Sequence, residues 1–229
     1  MTVFNEFQLT ADKVPDKAFL HIPIQASKDY SSVPLDYSYA AAMNEINILA
    51  DYYKSASYGH GQRIAMVVDN RAEFFLHFLA LNKLGVSVVP VNSGFLPEEM
   101  SCVIDHSDAC LVVSLPTHLE KIKQALGTMD QPLEIVQTNK MDSLPQSSGT
   151  VLAKDIGAET EVAVLYTSGT TGEPKGCMLS NEYFMGLGNW YRSIQGYCQL
   201  SYGEERMLTP LPVVHMNALC TMMAMIMSG

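Results

Sequence analysis

The feature that most constrains this chain is a repeated switch between two periodicities across its middle. Four short β-branched runs, at residues 63–69 (RIAMVVD), 86–91, 109–114 and 133–138, alternate with stretches of helical character. Residues 71–84 follow Asn70, a good N-cap, and stop at Gly85. Pro97 opens the next stretch, because a first-turn proline gives up no needed N–H. The third begins at Thr117-His-Leu-Glu120, which has capping-box spacing, and closes at Gly127. Strand, helix and strand again, three times over, predicts an α/β fold with a largely parallel sheet flanked by helices. Upstream, residues 38–57 place Ala42, Met43, Ile46, Leu49, Ala50 and Tyr53 at helical spacing, with Gly59 as the stop. The first 35 residues show no clear period. Residues 139–160, rich in Ser, Gly, Asp and Thr, read as a surface connection.

Charge removes one class of function. Lys and Arg number 14 against 24 Asp and Glu, a net charge of −10, so no general basic surface exists for nucleic-acid phosphates. With 48% hydrophobic and 17% charged residues, the chain is globular rather than disordered. The five cysteines (Cys102, Cys110, Cys177, Cys198 and Cys220) contain no Cys-x-x-Cys pair, which argues against a disulfide framework or a zinc site. The first residues lack a signal-peptide pattern. The apolar run 218–227 is interrupted by Thr221 and is too short to cross a bilayer. No transmembrane segment and a cytoplasmic, reducing compartment are expected.

Residues 161–176 read EVAVLYTSGTTGEPKG. A short apolar strand feeds a loop with glycines at 169, 172 and 176, hydroxyls at Thr167, Ser168, Thr170 and Thr171, and a cation at Lys175. Glycines let a backbone approach a ligand closely. A nest of N–H and O–H donors with one positive charge suits a triphosphate or a departing pyrophosphate. The P-loop of common NTPases has Gly-Lys-Ser/Thr before a helix. Here Pro174 precedes the lysine and an apolar run follows it, so a strand–loop–strand hairpin fits better. From these residue types alone the alternative is a Ser/Gly/Thr turn that binds nothing. His21, His60, His77, His106 and His118 are scattered without metal-ligand spacing. His77 and His118 lie in predicted helices, where packing or surface roles are the ordinary ones. Asp105 and Asp108 beside His106 read as a solvated helix end.

The string YTSGTTGEPKG, residues 166–176, resembles the phosphate-binding signature of the adenylate-forming superfamily. That superfamily includes acyl-CoA synthetases, peptide-synthetase adenylation domains and luciferases. Leu35-Asp-Tyr-Ser-Tyr39 is similar to its early L-T-Y-x-E-L segment, with Ala40 or Ala41 in place of the acidic residue. Residues 68–74 and 84–92 are similar to the helix and strand that follow, and Pro210-Leu-Pro-Val-Val-His-Met-Asn217 resembles its P-L-x-H-x-x-G segment. The resemblance implies an ATP-dependent ligase: carboxylic acid plus ATP gives an acyl-adenylate and pyrophosphate, and the acyl group then passes to a thiol, commonly that of coenzyme A. It gives Thr167, Ser168, Gly169, Thr170, Thr171, Gly172 and Lys175 to the β and γ phosphates, with Lys175 as the catalytic residue and Thr167 also as a ligand of Mg2+. It sets His215, Met216 and Asn217 at the wall of the acid pocket. Taken by themselves these residues leave open a core histidine and ordinary methionine packing. Residues 215–221 are similar to carnitine- and crotonobetaine-CoA ligases.

Superfamily members are considerably longer than this chain. The resemblance therefore implies an incomplete N-terminal domain of an adenylate-forming enzyme, inactive alone. Residues 1–60 would pack on a second sheet, and residues 61–229 would form the main α/β subdomain with its phosphate loop, the C-terminal half and lid being absent. Such a piece is expected to expose residues 218–227 and to aggregate or self-associate through them. Three other readings compete: a non-catalytic nucleotide-binding module, an interaction partner with a degenerate loop, and an adenylation domain that loads a carrier-protein thiol.

Overall fold

A six-stranded sheet organises the molecule. The computed structural model describes residues 1–131, 133–167 and 174–229. In chain order the elements are α1 (Val3–Lys13), β1 (Ala18–Ile22), α2 (Ile24–Ser27), β2 (Leu35–Ser38), α3 (Tyr39–Ser55), β3 (Arg63–Val67), α4 (Ala72–Lys83), β4 (Ser87–Pro90), α5 (Pro97–His106), β5 (Leu111–Ser114), α6 (Leu119–Leu126), β6 (Ile135–Gln137), β7 (Glu161–Thr167), β8 (Lys175–Ser180), α7 (Asn181–Ser193) and α8 (Met216–Ser228). The large sheet runs β6-β5-β3-β4-β7-β8. Every neighbouring pair is parallel except the edge hairpin β7–β8. The four strand-like runs of the sequence are thus β3 to β6, and the expected α/β fold is present. β1 and β2 form a separate antiparallel pair.

Alternation along β3 shows how the sheet is covered. Ile64, Met66 and Val68 face the larger core with α4, while Ala65 and Val67 face the smaller one with α5 and α6. Both faces of a parallel strand are buried, so it reads as a continuous apolar run. On the larger side a second helical layer follows. α1 packs on α4, α8 and α3, and α7 packs on α8.

Three local expectations are corrected. Asn70 does not cap α4: the cap position is Arg71 without a side-chain bond, and the Asn70 amide is spent elsewhere, as described below. The Thr117 capping box does not form, because residues 116–118 make a 3-10 turn and α6 starts at Leu119 with no side-chain cap. Helix α3 ends at Ser55, not near Gly59. The chain leaves it through Ser57 at φ 63°.

The N-terminal stretch that showed no clear period contains α1. Thr2 caps it reciprocally with Asn5, and Val3, Phe4, Phe7, Thr10 and Ala11 are buried at helical spacing. Phe7, Phe19 and Tyr39 then cluster with ring centroids 4.9–5.5 Å apart. This layer also overturns the expected exposure of residues 218–227. Leu219, Met223, Ala224 and Ile226 of α8 are fully buried. The carbonyls of its last turn accept hydrogen bonds from Tyr39 Oη (at Met225, 3.2 Å), Thr10 Oγ1 (at Ile226, 2.7 Å) and the Gly203 N–H (at Ser228, 2.6 Å). These are the groups a helix C-terminus leaves without intrahelical partners. A Cβ on Gly188 of α7 would collide with the Met227 side chain, so the bare glycine is what lets α7 approach α8 this closely. An apolar helix needs cover, and α1 and α7 provide most of it, with the Tyr39 side chain of α3 bonding its last turn. No helix among the described residues is long and apolar enough to cross a membrane.

Candidate active site

The hairpin β7–β8 is built from its root upward. At the root, Arg63 Nε and Nη2 donate to the two Glu161 carboxylate oxygens at 2.7 and 2.9 Å, and Nη1 donates to the Ser107 carbonyl at 3.0 Å. The Glu161 bond, opposed by burial, holds the guanidinium above its ordinary pKa. This two-pronged pair ties the first residue of β7 to the start of β3. Midway, Val162, Ala163, Val164 and Leu165 are buried. Near the top Tyr166 stands opposite Gly176, and a Cβ there would come within 3.1 Å of the tyrosine ring. The ring covers the gap left by the missing side chain, and its hydroxyl shares a 2.8 Å hydrogen bond with His106 Nδ1 at the end of α5.

The last pair before the loop is Thr167 opposite Lys175. Both are exposed. Two members of the expected phosphate site, one hydroxyl and one ammonium, are therefore brought face to face at the hairpin's open end. Ser168, Gly169, Thr170, Thr171 and Gly172 lie outside the described residues.

Because β3, β4, β5 and β7 are parallel, Thr167 emerges at their carboxyl ends. Open α/β sheets bind ligands at that edge. Sequence reasoning missed the polar connections there. Asp69, just past β3, accepts from Ser93 Oγ at 2.7 Å and bonds His118 Nε2 at 2.8 Å, while Lys121 Nζ donates to the Ser93 carbonyl at 2.8 Å. Burial pushes the Asp69 carboxyl up, but the bonds from Ser93 and His118 and the charges of His118 and Arg71 outweigh it, leaving the group below the usual carboxylate value. Asp69 takes both partners on its own oxygens and Ser93 does not touch His118, so this is a brace between three loops rather than a nucleophile–base relay. No local motif marks it, since its members lie 24 and 49 residues apart.

His215 occupies the cap position of α8, exposed and without a side-chain cap bond. Met216 is half-buried and Asn217 exposed. Two cavities stand out, and neither is lined by Thr167, Lys175, His215, Met216 or Asn217. The larger, about 760 Å³, opens at the amino ends of the strands around Arg63, Ser87 and Glu161, the wrong edge for the hairpin tip. The smaller, about 410 Å³, lies between β1, the β3–α4 turn, residues 207–213 and α8. Among the described residues, no group of three or more His, Cys, Asp or Glu is placed to hold a metal ion.

The sequence profile of the family described as AMP-binding enzyme matches residues 7–229. The chain belongs to that family. Its relatives include crotonobetaine/carnitine–CoA ligases. One from a Proteus species is 28% identical over 199 residues, covering 81% of this chain and 38% of its own length. One from Escherichia coli is 29% identical over 208 residues, covering 83% and 39%. The chain thus spans well under half the length of the curated relatives it matches. Among solved structures, the inhibitor-bound N-terminal domain of FACL13 from Mycobacterium tuberculosis superposes on the whole chain with a TM-score of 0.79 at 24% identity, covering 55% of that protein. VinN in complex with 3-methylaspartate gives 0.79 at 16% identity, covering 60%. At such identities these two show the fold alone. This AMP-binding chain therefore carries an adenylate-forming α/β fold, with CoA ligases among its relatives.

Proposed function

We propose that this protein activates a small carboxylic acid with ATP, releasing pyrophosphate, and transfers the acyl group from the adenylate to the thiol of coenzyme A. The observation that carries the reading is the Thr167–Lys175 pair at the mouth of a hairpin whose sequence resembles the family's phosphate-binding signature. Attack of a carboxylate on the α-phosphorus builds negative charge on the departing pyrophosphate. A fixed ammonium and hydroxyl aimed at that charge lower the barrier without reorganising. In this reading Lys175 neutralises the β and γ phosphates and Thr167 donates to them, with Ser168 through Gly172 supplying the remaining donors. The Arg63–Glu161 root and the Tyr166 contact keep the two arms of the hairpin in register.

The described donors at the hairpin offer anion-binding chemistry and no carboxylate, so they fit a polyphosphate. For magnesium, the Thr167 oxygen among the described hairpin residues fits as one neutral ligand of an ion otherwise held by phosphates and water. Such an ion, when bound, supplies further neutralisation of phosphate charge. We assign His215, Met216 and Asn217 to the acid side of the site because they follow the family's P-L-x-H segment at the start of α8. The acceptor is named from the CoA ligases among the relatives, and their acids, crotonobetaine and carnitine, are the first substrates to try. The domain reading that accompanies this function assigns residues 61–229 to the α/β subdomain that carries the phosphate loop.

Calorimetric titration of pyrophosphate and of ATP into the chain tests the phosphate grip. Binding is expected to weaken as salt rises, and Lys175→Ala is expected to weaken it roughly tenfold through loss of one charge-assisted bond. Equal affinity in the wild type and Lys175→Ala, or none in either, would overturn the assignment.

A further inference from the structure

Residues 206–214 run without helix or strand from the end of the α7 region to His215. Among the described residues, their hydrogen bonds to the rest of the molecule come from a single side chain. Asn70 Nδ2 donates to the Leu211 carbonyl at 2.9 Å, and Asn70 Oδ1 accepts from the Val213 N–H at 2.9 Å. The amide presents one donor and one acceptor to alternate residues, Leu211 and Val213, where the segment bends toward α8. Val213 is itself the second residue of a turn closed by the His215 N–H, which donates to the Pro212 carbonyl at 3.0 Å. Val213 is buried between these two ties. The adjoining Asp69 is itself braced to Ser93 and His118, so the anchor point belongs to the rigid carboxyl edge of the sheet.

We propose that Asn70 is a positioning residue for the acid pocket: its paired bonds to Leu211 and Val213 fix where residues 215–217 stand relative to the end of β3. The proposal rests on the reading of His215, Met216 and Asn217 as the pocket wall. It adds a residue of the β3–α4 turn that acts through the backbone it grips. Asparagine is required at both ends of the amide. An aspartate keeps the bond from Val213 but turns the bond to Leu211 into a repulsion between two oxygens. An alanine loses both.

The test compares wild type, Asn70→Ala and Asn70→Asp by amide hydrogen exchange, by the NMR signal of the His215 imidazole, and by titration with butyrate, benzoate, carnitine and pyrophosphate. Two hydrogen bonds of ordinary strength predict roughly tenfold faster exchange in Asn70→Ala at the Val213 amide, which Asn70 holds, and at the His215 amide of the turn it anchors. The Asn70→Asp chain is expected to retain protection at Val213 alone. The His215 signal should shift in both variants. Affinity for whichever carboxylate the wild type binds should fall several-fold, with pyrophosphate affinity unchanged, a split that general destabilisation would not produce. Unchanged exchange and an unchanged His215 signal in Asn70→Ala would overturn the proposal. So would equal losses of carboxylate and pyrophosphate affinity. A wild type that binds no carboxylate, with exchange and the His215 signal altered as expected, would leave the anchor standing and remove the pocket reading beneath it.

Discussion

His77 shows how a single polar residue fares inside this core. It lies in the middle of α4, and its Nδ1 shares a 2.8 Å hydrogen bond with the buried Tyr53 hydroxyl. Burial drives its pKa down from 6.5 to about 4. Burial likewise pushes the Tyr53 hydroxyl well above its ordinary value, so the pair stays neutral. The unfolded chain takes up a proton near pH 6.5 while the folded one resists until about pH 4. The contribution is therefore complete above the upper value and is lost as acid is added toward the lower one. A shift of this size corresponds to at most about 3 kcal/mol. Denaturant midpoints measured through that interval should fall for the wild type and fall less steeply for His77→Phe. Identical slopes would show that His77 is not the source. The helical position of His77 and its packing role were readable from the sequence, whereas its partner on α3 was not, because nothing local links residues 53 and 77.

At the scale of elements, α3 ends in a capping motif that its sequence disguises. The Tyr58 N–H donates to the Tyr53 carbonyl and the Ser57 N–H to the Lys54 carbonyl, both at 3.0 Å. Tyr53 and Tyr58 pack edge to face at 6.1 Å. Both bonds and the apolar contact belong to the Schellman pattern. Its left-handed position is filled by Ser57 at φ 63° instead of the usual glycine, which is why Gly59 looked like the stop. Ser57→Gly is expected to stabilise the chain by roughly 1 kcal/mol, since a Cβ is penalised in that region. A destabilised variant in thermal unfolding would contradict this. The same kind of misreading befell Asn70 and Thr117. Each is a good local cap, but long-range bonding at Asn70 and a 3-10 turn at Thr117 prevailed. Strands β3 to β6 were legible because burial on both faces leaves a mark in every residue. Helix α1 was not read from the sequence, although the reciprocal Thr2–Asn5 cap and the buried Val3, Phe4, Phe7, Thr10 and Ala11 are there at helical spacing. The braces at Asp69 and Asn70 were not legible, since they join positions far apart in sequence.

For the whole molecule, the decisive packing is that of α8. Composition suggested an apolar helix in search of a partner, yet it is covered by its sequence neighbour α7 and by α1 from the opposite end of the sequence. Cysteine reactivity measures this directly. Cys102, Cys177 and Cys198 are exposed and Cys220 on α8 is buried. Burial also pushes the Cys220 thiol up, which further lowers its thiolate fraction. Under native conditions a thiol reagent should modify the three exposed cysteines quickly and Cys220 only on unfolding. Fast labelling of Cys220 would mean that the neighbouring helices do not hold α8 in place in solution.

The account turns on what the tip of the β7–β8 hairpin holds, and isotope-edited NMR reads that residue by residue. Titrating pyrophosphate into the labelled chain should move the amide signals of Thr167 and Lys175 and those of the loop between them, leave the cavity around Arg63 and Ser87 unmoved, and require roughly tenfold more pyrophosphate for the same change in Lys175→Ala. Shifts confined to the amino edge of the sheet, or a hairpin that ignores the anion, would contradict the account.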